Sequence, residues 1–162
     1  MSSQQINAVH QWKMSLPYSK MIYPNGIYKR LKYLFWRFLT PVHPYLRDTL
    51  LASGLYVHSG RQVFHVGMLA KGVSIEDTVD FLISKGYGNH FIAWIDDGEV
   101  ISLRLTDGFE SQYHIRIFED GEVRAHYEYT PECYPVKHMK ALDQIPRREY
   151  FLNLFGDRIV AR

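Results

Sequence analysis

The polar residues that could do chemistry are concentrated in one stretch, YHIRIFEDGEVRAHYEY, residues 113–129. It places two histidines, His114 and His126, among alternating apolar residues. Imidazoles titrate near neutral pH and can act as general acids, general bases or metal ligands. The question is whether these side chains form one site or only the solvent-facing side of a hairpin.

The alternation in this stretch predicts a β-hairpin closed by a three-residue loop, Glu119–Gly121, with the glycine in a left-handed conformation. The resulting register pairs His114 with His126 and Ile115 with Ala125. Polar residues then share one face and apolar residues the other. A two-residue turn would shift the register by one residue and mix the two faces, which a buried sheet face does not tolerate.

A similar turn at Asp96–Gly98 predicts a second hairpin, in which His90 pairs with Arg104. Pairing Leu103 with Ile115 joins the two hairpins with their apolar faces aligned. The other face then carries a row of basic side chains across the sheet, where opposed Cβ atoms lie about 4.5–5.5 Å apart. The predicted row runs His90, Arg104, His114 and His126, with Ser102, Arg116 and Arg124 beside it.

Like charges directly opposite each other are unfavourable in a sheet, so this face needs a compensating negative charge. We predict that the compensation is an anionic, phosphate-bearing ligand, with a nucleic acid as one example. The residues assigned to this ligand are His90, Arg104, Arg116, Arg124 and Glu128. A simpler alternative is a solvated face with salt bridges in which Glu122 and Glu128 neutralise the arginines.

A catalytic alternative uses the same face. His114 and His126 would act as base and acid in phosphoester hydrolysis, while Arg104 or Arg116 stabilises developing negative charge. No nucleophile motif or phosphate-binding loop accompanies them, so whether the chain is an enzyme stays open. No cofactor and no metal ligands are assigned, although the two histidines with His90 or Glu128 would supply three ligands.

The charge of the chain is divided unevenly. Residues 1–50 contain seven lysines and arginines against one aspartate, a net charge of +6. The segment Ile27–Leu39 combines four of these cations with an apolar stripe at helical spacing. That stripe is expected to pack on the rest of the protein. The alternatives are an interfacial membrane helix, a nucleic-acid contact with aromatic stacking, or a homodimer contact through the N-terminal arm.

Composition narrows the class of protein. The chain has 162 residues, is 46% hydrophobic and 22% charged, and contains one cysteine, so an intrachain disulfide is excluded. No apolar run approaches the roughly 20 residues needed to cross a bilayer. The N-terminus lacks the apolar core of a signal peptide. We therefore expect a cytoplasmic protein without a transmembrane segment. Its expected partners are the anionic ligand and, through the N-terminal arm, a second copy of the chain.

The order of the predicted helices and strands around these residues indicates an α+β fold. It has an antiparallel sheet, formed by a four-strand meander and a preceding hairpin, with a helix packed on one face. We divide the chain into a basic, aromatic-rich helical arm, 1–54, and an α+β domain, 55–162, that ends in a helix. The predicted strands are 90–95, 99–105, 112–118 and 122–129, the hairpin is 55–69, the helices are 27–39, 44–53, 74–85 and 147–155, and 130–145 is a loop.

Overall fold

The computed structural model describes residues 11–54, 64–90, 96–140 and 145–161 and shows an α+β fold, as predicted. A six-stranded antiparallel sheet is flanked by helices. The helices are α1 (Ile27–Leu39), α2 (His43–Ala52), α3 (Ile75–Ser84), α4 (Pro135–Lys140) and α5 (Arg148–Phe155). The strands are β1 (His65–Leu69), β2 (Gly88–Asn89), β3 (Glu99–Asp107), β4 (Ser111–Phe118), β5 (Glu122–Tyr129) and β6 (Ile159–Ala161). None of the described helices has the length and apolar character of a bilayer span.

The sheet order is β2-β3-β4-β5-β1-β6, so β3, β4 and β5 of the predicted meander are neighbours in the sheet. Of the predicted strand 90–95, residues 91–95 lie outside the described part. Strand β1 pairs with both β5 and β6. The predicted hairpin 55–69 cannot be compared in full, because residues 55–63 lie outside the described part. Strand β6 was not predicted, since three residues are too few to show a periodicity of two.

The register of the central strands is confirmed. His114 lies opposite His126, and Ile115 lies opposite Ala125. Gly121 has a φ of 83°, and its amide donates to the Phe118 carbonyl over 2.9 Å, as a three-residue loop requires. Because side chains alternate between faces, this register places both histidines on one side of the sheet.

The register of the first hairpin is corrected in two places. Asn89 lies opposite Leu103, and the His90 amide donates to the Ser102 carbonyl, so His90 faces Ser102 and not Arg104. This shift of two residues keeps His90 on its predicted face, and apolar alternation therefore could not detect it. A β-bulge before Ile101 also turns Glu99 toward the polar face, which the predicted register did not allow.

The apolar face of the sheet forms the hydrophobic core with α3 and α5. Val79 and Leu82 of α3 and Phe151 and Phe155 of α5 are completely buried in the same cluster as Ile115. Helix α3 begins as predicted, because the Ser74 hydroxyl accepts a hydrogen bond from the Asp77 amide. The core thus lies on one side of the sheet, and the histidine row lies on the other.

Two segments near the polar face differ from prediction. The segment 130–145 is not simply a loop, because it contains α4, which begins at Pro135. Proline suits this first position, since the amide hydrogen it lacks would have no partner within the helix. The apolar stripe of α1 does not pack on the body, and no residue of this helix is buried. Farther toward the N-terminus, Tyr18 forms a parallel bridge with Asn89 at the edge of the sheet.

Candidate metal centre

The polar face of the sheet is buried. Its histidines and the arginines of β3 and β4 are only 2–4% exposed, and Glu128 is 1% exposed. Part of the cover comes from the N-terminal segment, where the Ser19 hydroxyl accepts a hydrogen bond from Arg104. Another part is the segment after β5, which contributes Glu132 and His138. The sequence allowed this polar face to be exposed to solvent. In the structure it is instead a cluster in the interior.

The two buried arginines have carboxylate partners. Arg104 Nη2 lies 2.6 Å from Glu132 Oε1. Arg116 forms an ion pair with Asp96, and its Nη1 lies 3.5 Å from Glu99 Oε2. Removing one partner of such a pair would leave an uncompensated charge in the interior, so these pairs are tightly coupled to the fold.

Glu128 is surrounded by histidines. Its Oε1 atom lies 3.0 Å from His114 Nδ1, and its Oε2 atom lies 3.0 Å from His126 Nε2 and 3.3 Å from His138 Nδ1. The Gln112 side chain donates a hydrogen bond of 2.7 Å to Oε1. The Glu128 carboxylate, at the centre of the sheet, thus contacts three imidazoles.

His114 Nδ1 interacts with Glu128 at hydrogen-bond distance, whereas the contact of His126 with Glu128 is an ion-pair contact only. Among the described residues, both ring nitrogens of His126 have no hydrogen-bond partner. The other nitrogen of His114, Nε2, lies 2.7 Å from the Ser102 hydroxyl. Buried polar atoms normally have a hydrogen-bond partner, so we expect a further atom to contact the ring nitrogens of His126.

The ionisation of the cluster suits metal coordination. Burial lowers the pKa of His114 to about 4, although Glu128 acts in the opposite direction. Burial alone would raise the pKa of Glu128, but His138, His126 and His114 together hold it well below its usual range. At neutral pH His114 is therefore a neutral imidazole beside an ionised carboxylate, the protonation states that metal ligands require.

The donor atoms are close enough to share an ion. One nitrogen of His114, one nitrogen of His126 and one oxygen of Glu128 lie within 4.8 Å of one another. In a tetrahedral zinc site with bonds of about 2.1 Å, ligand atoms are about 3.4 Å apart. Small side-chain rotations would close this difference. The Ser102 contact at His114 Nε2 also resembles the outer hydrogen bonds that orient ligating histidines.

Of the residues predicted from the sequence, His114, His126 and Glu128 meet at this centre. His90 stands beside it, with its ring centroid 5.1 Å from that of His114. Arg124 lies at the border of the cluster, where its Nη2 atom is 2.7 Å from a Glu122 oxygen. Arg104 and Arg116 also face the interior, but their described partners are mainly carboxylates.

Sequence reasoning missed Glu132, His138 and Gln112 as parts of the cluster. Glu132 and His138 follow β5 in a segment predicted as a loop. The sequence indicates their role only by placing them shortly after β5, the strand that carries His126. Gln112 lies two residues before His114, on the same face of β4 by alternation. It connects Arg104 to Glu128, accepting from the first over 3.1 Å and donating to the second.

Comparisons with protein-family models, curated proteins and solved structures give no match for this chain.

Proposed function

We propose that this protein binds a divalent transition-metal ion of the Zn²⁺ class through His114, His126 and Glu128. The observation that carries the proposal is the convergence of these three buried side chains on one point, where the ring nitrogens of His126 have no described hydrogen-bond partner. Two imidazoles and one carboxylate form a ligand set used for zinc and for ferrous iron.

Charge in the interior supports the same conclusion. The ion pairs described for Arg104 and Arg116 are with Glu132 and with Asp96 and Glu99. The described ion-pair partners of Glu128 are histidines. A divalent cation held between the His114 and His126 imidazoles and the Glu128 carboxylate would offset the cost of removing that carboxylate from water. Burial of all three ligands favours a structural or regulatory ion over one that meets substrate directly.

The test is direct titration of metal-free protein with Zn²⁺ by calorimetry, and with Co²⁺ by visible absorption. We expect one ion per chain. His126→Ala and Glu128→Gln each remove a ligand and should weaken binding by at least about 100-fold, whereas Ser102→Ala, next to a ligand, should weaken it by about 10-fold.

His65→Ala is the matched control. His65 lies on the same sheet and pairs with Glu122, but it is half exposed and outside the cluster. This variant should bind Zn²⁺ as tightly as the wild type. Failure of folded wild-type protein to bind Zn²⁺ or Co²⁺, or full binding by folded His126→Ala and Glu128→Gln, would contradict the proposal.

A hydrolase is the second candidate, because three protein ligands leave a fourth position, as in catalytic zinc sites. It differs from the reading in which His114 and His126 are base and acid, since here they hold the ion. Phosphodiester and phosphomonoester substrates should be assayed with Zn²⁺ and after chelation. Activity that survives chelation but is lost in His114→Ala would favour the acid and base roles.

Binding of an anionic ligand or a nucleic acid stays a prediction from the sequence. Such a ligand would have to compete with the carboxylates that contact Arg104, Arg116 and Arg124. Binding of short RNA that weakens steeply as salt rises would support it.

A further inference from the structure

Helix α1 presents an apolar stripe to solvent. The side chains of Ile27, Leu31, Phe35 and Phe38 are 80%, 61%, 59% and 77% exposed, and Leu34 between them is 43% exposed. These positions recur at the helical spacing of three and four residues and therefore lie on one face. A continuous apolar face of this kind on a soluble body usually marks an interaction surface.

The opposite, more polar side of α1 makes the contacts with the body. Lys29 forms an ion pair with Glu110. The Lys32 ammonium donates a hydrogen bond of 2.6 Å to the Cys133 carbonyl. The half-buried ring of Tyr33 lies beside Phe109 of the body, with 6.2 Å between the ring centroids. An amphipathic helix ordinarily buries its apolar face against the protein. In this orientation the apolar stripe of α1 is instead free to contact another partner.

The charge of α1 indicates what that partner is. The helix contains four cations and no acidic residue, within an N-terminal region of net charge +6. Arg30 and Arg37 are exposed. They are seven residues apart, so both flank the stripe on the same side. The exposed surface is therefore apolar along its centre and basic along one border.

We propose that α1 docks on an anionic phospholipid membrane surface, lying in the interface with its apolar stripe at the level of the acyl chains. Phe, Leu and Ile on one side with Arg on the border is the pattern of interfacial helices, whose binding combines apolar burial with attraction to anionic lipids. Arg30 and Arg37 would contact the headgroups. This surface is separate from the proposed metal centre.

Charge disfavours the other occupants. Two copies packed stripe to stripe would bring Arg30 and Arg37 of both helices together, and neither helix has an acidic residue to compensate them. A nucleic acid would need the cations to face outward, but Lys29 and Lys32 contact the body.

The experiment is flotation of the full chain with vesicles of phosphatidylcholine alone and of phosphatidylcholine containing one third phosphatidylserine. We expect binding to the anionic vesicles, much weaker binding to the neutral ones, and loss of binding as salt rises. Arg30→Gln/Arg37→Gln should weaken binding by about 30-fold, because each cation near the surface contributes about one kcal/mol. Phe35→Ser/Phe38→Ser should abolish it.

Val160→Ser is the matched control, because Val160 is 61% exposed on β6, away from α1, and this variant should float like the wild type. The α1 variants change exposed side chains, so circular dichroism should show an unchanged fold. Absence of binding to anionic vesicles overturns the proposal. So does a wild-type dimer in sedimentation that Phe35→Ser/Phe38→Ser converts to a monomer, or binding to RNA without binding to vesicles.

Discussion

At the scale of single residues, Glu99 shows what burial does to an acid. Burial raises the pKa of the Glu99 carboxyl to about 7, although Arg116 draws it down. The folded state therefore binds this proton more tightly than the unfolded state, in which the pKa is about 4.5. Its contribution to stability is present below pH 4.5 and is lost as the pH rises to about 7.

We expect Glu99→Gln to remove this dependence. The free energy of unfolding of wild type minus that of Glu99→Gln should fall by roughly 3 kcal/mol between pH 4.5 and 7.5, measured by urea denaturation. Glu110→Gln provides a contrast, because the hydrogen bond from Lys29 lowers the pKa of the Glu110 carboxyl. The free energy of unfolding of wild type minus that of Glu110→Gln should instead fall as the pH drops through the acidic range. A constant difference for Glu99→Gln would contradict this assignment.

At the scale of elements, two glycines allow chain segments to approach the sheet closely. A Cβ atom at Gly88 would overlap the backbone of Ser19, and one at Gly67 would overlap the Val160 carbonyl. The first contact holds the N-terminal segment beside β2, where the Asn89 amide also donates to Pro17 over 2.8 Å. The second joins β1 to β6.

Gly88→Ala and Gly67→Ala should each reduce the free energy of unfolding by about 1–3 kcal/mol, since neither backbone can move away without breaking its hydrogen bonds. Only Gly88→Ala should release the N-terminal segment, seen as faster proteolysis near residues 13–20 at a protease concentration that spares the folded body. Equal cleavage of the two variants would show that the Gly88 contact does not hold this segment.

At the scale of the whole molecule, the two sides of the sheet have different interiors. One side is an apolar core with α3 and α5, and the other is a cluster of charges and imidazoles. The cluster cannot stabilise the fold as the core does, because burying charged groups costs free energy unless each is compensated. A bound ion would supply compensation and should link folding to metal concentration.

We therefore expect Zn²⁺ to raise the melting temperature. At a free concentration of 100 times the dissociation constant the gain is about 2.7 kcal/mol, which corresponds to roughly 5–10 °C for a chain of this size. His126→Ala should show no such increase, and EDTA should reverse it in the wild type. An equal increase in wild type and His126→Ala would place the ion elsewhere.

Sequence alone determined the central hairpin and the opposition of His114 and His126, but it left the third residue open between His90 and Glu128. The hairpin and the opposition followed from local rules, because alternation and the Glu-Asp-Gly loop fix the register of β4 and β5. The same rules could not detect the two-residue shift at His90, since it leaves each face unchanged. Nor could they detect the bulge that turns Glu99 inward.

Only the tertiary structure decided that the polar face is interior and that the apolar stripe of α1 is exposed. Periodicity shows that an element has two faces, but it does not show which of them another segment covers. That depends on contacts between residues far apart in sequence, such as Arg104 with Ser19 and with Glu132, or Lys29 with Glu110. These contacts place Glu132 over the sheet and hold α1 by its polar side.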